Sequence, residues 1–124
     1  MVVNDVYALA LSVLDEINTG GVVNTDTGYE DKAPLTFDRI QRELAFYEGV
    51  NVMRRITSMA DTLEISDDTA LRVMPYAIAA DFALQDKMSD EYGYCLGKYR
   101  EMIPTIKREP KRVVDAYDIL AGMQ

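Results

Sequence analysis

The stretch Val73-Met-Pro-Tyr-Ala-Ile-Ala-Ala-Asp-Phe-Ala-Leu-Gln-Asp86 constrains this chain more than any other part of it. The helix expected over about 68–86, which includes this stretch, carries apolar residues around most of its circumference, among them Ala70, Val73, Met74, Tyr76, Ile78, Phe82 and Leu84. Such a helix has to be surrounded, either by its own domain or by another subunit. Ala77, Ala79, Ala80 and Ala83 let neighbouring backbones come close. Ser66, Asp67 or Asp68 is placed to cap its start, where acids favour the positive end of the dipole. Pro75 predicts a kink or a reset of the helix start.

Three further helices can be read around it. Val6, Leu9, Ala10, Val13, Leu14 and Ile17 form one stripe at helical period over 5–17, with Asn4 or Asp5 at the cap and Asn18-Thr-Gly-Gly21 at the stop. A polar loop follows over 18–30. A second helix is expected from near Asp31, with Pro34 in its first turn and Gly49 as its stop. Ala33, Phe37, Ile40, Leu44 and Tyr47 make its apolar side, with Asp38, Arg39, Arg42 and Glu43 on the other. The last helix runs over 90–106 on Tyr92, Cys95, Leu96, Tyr99, Met102, Ile103 and Ile106, weakened by Gly93, Gly97 and Pro104.

Residues 50–66 fit neither period. They read as irregular, with room for a short β-hairpin near residues 54–66 in which Thr62–Ile65 pairs with Arg55–Ser58. A continuation of the second helix through Met59 competes with that reading. The expected fold class is all-α: a small four- to five-helix bundle over residues 1–106, then an arm over 107–124 with a break at Pro110.

Charge and composition narrow the chemistry. With 124 residues and a 48% apolar content, the chain can form one domain with a real core. Its net charge of −8 argues against gripping nucleic acid with the whole surface, since that binding comes from neutralising phosphates. There is no histidine, so the usual neutral-pH acid–base group and the commonest metal ligand are missing. One cysteine, Cys95, cannot form an intrachain disulfide and reads as a small core residue. No apolar run approaches the roughly 20 residues of a membrane span, and no basic region precedes the first apolar residues. A soluble protein made in a reducing cytoplasm is expected.

No catalytic, cofactor-binding or metal-binding set emerges. Asp26-Thr-Gly28 with Glu30 and Asp31 lacks the alternating ligands and closing glutamate of a calcium loop. Gly20-Gly21 is not followed by the Gly-Lys-Ser/Thr of a phosphate loop. The serines have no base beside them, and Asp81 reads as a surface or salt-bridged acid. The chain is therefore expected not to be an enzyme and to need no cofactor.

Four blocks carry a family resemblance: Ala8-Leu-Ala-Leu-Ser-Val-Leu-Asp-Glu-Ile-Asn18 with Gly20-Gly21; Asp31-Lys-Ala-Pro-Leu35 leading to Gln41-Arg-Glu-Leu44; Met74 to Asp86 with Tyr99-Arg-Glu101; and Val113-Val-Asp-Ala-Tyr117. Together they resemble the small helical head–tail connector, or adaptor, proteins of tailed phages and prophages. Asp118 stands where such proteins tend to carry glycine. The resemblance implies a structural virion protein of the neck. It would form a ring with copies of itself beneath the portal, meet portal and tail-completion proteins, and extend a channel through which DNA passes without specific binding. The alternative is another small helical phage or prophage interaction or regulatory module.

Residues 107–124 carry four basic side chains against three acidic ones, unlike the rest of the chain. Val113, Val114, Tyr117, Ile119 and Leu120 are too apolar for a free tail. An interface is therefore expected at Arg108, Lys111, Arg112, Val113, Val114, Tyr117, Ile119 and Leu120, docking on this chain or on the outer side of the last two helices of a neighbouring copy.

Overall fold

The computed structural model describes the backbone of residues 1–17 and 29–108, and the side chains of 1–15 and 31–108. Within them the chain is all-α. Five helices follow in order: α1 (Val3–Ile17), α2 (Tyr29–Glu48), α3 (Asp67–Arg72), α4 (Met74–Gln85) and α5 (Ser89–Met102), the last closed by a 3-10 turn over Ile103–Thr105.

The apolar helix is the hub. α4 buries Met74, Pro75, Ala77, Ile78, Ala79, Ala80, Phe82 and Ala83, and α1, α2, α3 and α5 all pack on it. α5 packs along it, and Phe82 meets Tyr7 of α1 edge-to-face at 5.8 Å between ring centroids. Phe37 and Leu44 of α2 and Leu14 of α1 close the core without any exposure. Each such side chain contributes about 1.5–3 kcal/mol when fully buried. Of the two ways to surround the apolar helix, its own domain supplies most of the cover; Leu84 alone among its large apolar side chains stays exposed.

Pro75 resets the helix rather than bending it. α3 ends at Arg72, and after Val73 alone α4 begins at Met74 with Pro75 in its first turn, where no backbone donor is lost. Ser66 is the cap of α3, its Oγ accepting from the Thr69 N–H at 3.3 Å. α2 starts earlier than the sequence suggests, so Pro34 lies just beyond its first turn. Gly49 closes α2 with φ of 76°: its N–H donates to the Phe46 carbonyl and the Val50 N–H to the Ala45 carbonyl, the paired closure that a left-handed residue permits.

Residues 50–66 contain neither the hairpin nor a continuation of α2. Among the described residues the only extended pairing is an isolated antiparallel bridge between Val2 and Thr62. The segment bonds to helices instead. The carbonyls of Asp61 and Met59 accept the Val3 and Asn4 N–H groups at 3.0 and 2.9 Å. Those are orphan donors at the start of α1, so loop backbone does the capping expected of Asn4 or Asp5.

On the other side, buried polar residues of α2 accept the loop's amides. Asp38 Oδ1 takes the Ile56 N–H at 3.0 Å, Gln41 Oε1 takes the Glu64 N–H at 2.6 Å, and Glu48 Oε1 takes the Ser66 N–H at 2.8 Å. Asp38, placed on the outer side by periodicity, is in fact 6% exposed. Residues 38, 41 and 48 share one side of a helix, and that side holds the loop as a neighbouring strand would.

Candidate interaction surface

The polar groups lining the clefts of this bundle are largely engaged in holding it together. One cleft of about 200 Å³ lies over α4, floored by Ala77 and Ala80 and walled by Arg39 and Glu43 of α2 and Tyr92 and Tyr99 of α5. The Tyr99 hydroxyl donates to Glu43 Oε1 at 2.7 Å. Burial and that acceptor push the Tyr99 phenol well above its ordinary value. Asp81 accepts from Arg39 at 2.8 Å, from Thr36 at 3.1 Å and from Gln85 at 2.8 Å. The expected salt-bridged role of Asp81 is what the geometry gives, and it ties α2 to α4.

A second cleft of about 520 Å³ brings Glu48, Glu64, Ser66 and Asp68 beside Lys107 and Arg108. Its glutamates also serve the backbone: Glu64 accepts the Met53 and Arg54 N–H groups at 3.0 Å each. Among the described residues no group of three or more His, Cys, Asp or Glu could hold a metal ion. Cys95 is fully buried, and burial together with nearby Glu91 pushes its thiol up to about 11. It is a core residue, as expected. Among the described residues no helix is long and apolar enough to cross a membrane.

What stands out is a surface rather than a cleft. Leu35, Arg39, Arg42 and Phe46 follow one another on the outer side of α2 at spacings of four, three and four. Leu35 is 66% exposed, Phe46 75% and, beyond the helix end, Met53 81%. Arg42 reaches across to Asp38 at 3.2 Å, and Arg55 lies 4.0 Å from the same carboxylate. Asp38 therefore fixes one arginine of this face in place. Burial alone would raise the Asp38 carboxyl, but the Ile56 N–H, Arg42 and Arg55 outweigh it and hold it below the ordinary 3.8. Large apolar side chains interleaved with arginines are the composition of protein interfaces.

Of the expected interface residues, Arg108 lies beside this surface, lining the cleft that it shares with Arg42, Phe46 and Met53. Lys111, Arg112, Val113, Val114, Tyr117, Ile119 and Leu120 lie outside the described residues. Leu35, Arg39, Arg42 and Phe46 do not stand out as a surface in the sequence because the core stripe of α2 dominates its periodicity. The signal was present in their own spacing; for Met53 there was none.

Comparison with known proteins adds no relative: no family model, curated protein or solved structure matches this chain.

Proposed function

We propose that this protein is a structural assembly subunit, a head–tail connector of a tailed phage that joins copies of itself in a ring beneath the portal. The observation that carries the assembly role is the outer face of α2, where Leu35 and Phe46 stand in solvent on either side of two arginines. A monomer gains nothing by leaving such side chains exposed, whereas a partner that covers them gains apolar burial and charge pairing together. The resemblance of four sequence blocks to connector proteins supplies the identity of the assembly. The net charge of −8 suits a wall along which DNA slides rather than sticks. The protein would work in the virion neck, and it transforms no substrate.

Co-purification with the portal protein of the same phage, followed by imaging of the complex, tests this. A ring of this chain seated on the portal is expected. A chain that ignores the portal but retards duplex DNA at low salt would instead be a regulatory module, and the connector reading would be lost.

A further inference from the structure

The segment over residues 50–66 runs from the end of α2 to the cap of α3, and it is held in two ways. One set of bonds lies within it. Glu64 accepts the Met53 and Arg54 amides, and Asp61 accepts the Thr57 and Ser58 amides at 2.8 and 3.1 Å. These bonds brace the segment into one body. The other set ties it to the bundle: the Ile56, Glu64 and Ser66 amides on Asp38, Gln41 and Glu48 of α2, and backbone bonds to Met1, Val3 and Asn4.

The seat of the segment is shallow. Between residues 50 and 66 only Ile56, Leu63 and Ile65 are buried. Clefts of about 520, 690 and 430 Å³ border it. Gln41 is fully buried, yet its Nε2 has no partner among the described residues, so closure strands an amide donor that water would satisfy. The hub helix is built differently: α1, α2, α3 and α5 pack on α4, and none of them lies in the segment.

We infer that residues 50–66 are a strap that opens and closes as one body while the five helices stay folded. The three apolar anchors keep it shut most of the time, and its few buried contacts set the opening free energy below that of global unfolding. Gly49, left-handed at φ of 76°, and the cap at Ser66 are the element ends where the chain can turn. Opening uncovers the side of α2 that carries Asp38, Gln41 and Glu48, and it takes the acceptors away from the first amides of α1. The strap does not depend on what the molecule assembles with, so its test and the portal test stand or fall separately.

Hydrogen exchange of the full-length chain, read by NMR under conditions where closing outruns exchange, tests this. The Ile56, Glu64 and Ser66 amides should share one opening equilibrium, about 100-fold or more favourable than that of the Ile78 and Phe82 amides in α4. Two mild variants separate the strap from its alternatives. Ile78→Val removes a methylene from a fully buried side chain of α4. It should speed exchange in α4 by roughly two- to tenfold and leave the three strap amides unchanged. Equal acceleration of the strap amides would mean that they exchange only by global unfolding, and the strap would be lost. Asp38→Asn weakens the acceptor of the Ile56 amide alone among the three. It should speed exchange at Ile56, Glu64 and Ser66 by one common factor, since all three wait on the same motion. Acceleration of Ile56 by itself would reduce the segment to separately fraying bonds and overturn the inference as well.

Discussion

Asp38 shows how one carboxylate can serve fold and surface together. It is buried, it accepts the Ile56 amide, and it steadies Arg42 on the outside of α2. Its folded pKa lies below the ordinary 3.8, as do those of Asp61, which accepts the Thr57 and Ser58 amides, and Asp68, bonded to Arg72. The sign follows. A carboxyl whose folded value is depressed contributes stability that is fully present above its unfolded value and is lost as pH falls through the folded one. Stability should therefore be flat from about pH 5 to about pH 8 and drop as pH falls below about 4; above about pH 9 it should fall again, because the raised Cys95 thiol and Tyr99 phenol stay protonated in the fold while their unfolded counterparts ionise. Asp38→Asn should lower stability at pH 7 by about 1–3 kcal/mol, because the Ile56 amide and Arg42 lose a charged acceptor. It should also shallow the fall between pH 5 and pH 3, without abolishing it, since Asp61 and Asp68 remain. Urea midpoints of both proteins across that range measure this; an unchanged acid limb in the variant would mean that Asp38 titrates normally. Periodicity misplaced this residue for a physical reason. A buried acid that binds a loop amide has the same spacing as a solvated one, and its partner is 18 positions away in a segment with no pattern of its own.

Helices were legible where their own residues decide them, and two places show propensity overruled. All the expected helices form, and Gly49, Ser66 and Pro75 punctuate them for reasons readable in the sequence. The loop over 50–66 was not legible, because its amides are accepted by α2 side chains and its carbonyls cap α1, contacts that leave no local period. At the end of α4, Lys87 takes φ of 59°, with its N–H donating to the Leu84 carbonyl and that of Met88 to the Ala83 carbonyl. This is the closure that glycine provides at Gly49, here forced on a side chain. In α5 the mismatch is reversed. Gly93 and Gly97 lie on its exposed side, and a methyl group at either would meet nothing within 4 Å. Lys87→Gly and Gly93→Ala should each stabilise the chain by about 0.5–1 kcal/mol, the first by relieving left-handed strain, the second by reducing the freedom of the unfolded chain. Gly97→Ala should behave like Gly93→Ala. Thermal melts of the three single variants read the effect as a rise of a few degrees each; a fall for either alanine variant would reveal a close contact at that glycine.

The assembled molecule raises the question of where the folding unit ends. The core of the described residues runs from Val3 to Ile106, and α4 has α1, α2, α3 and α5 packed on it. Arg108 then sits beside Phe46 and Met53, at the edge of the arginine-rich surface. If residues 1–106 are the domain and the rest an arm, a chain ending at Arg108 should unfold in one cooperative transition. Its Tm should lie within a few degrees of the full chain, since about 1 kcal/mol corresponds to roughly 4–8 °C for a domain this small. Its assembly should nonetheless weaken, because Val113, Val114, Tyr117, Ile119 and Leu120 would no longer be there to bury against a neighbour. Light scattering of the two chains at matched high concentration separates the possibilities. A much lower Tm for the shortened chain would place the terminal residues in the core and dissolve the division into domain and arm. An equal Tm with equal scattering would strip the arm of any part in assembly and leave self-association to other surfaces of the bundle. An equal Tm with reduced scattering is the expected outcome. It would make the arm a second point of attachment, so that each copy holds its neighbour through a rigid face and a segment that follows it, and the two contacts reinforce one another by proximity.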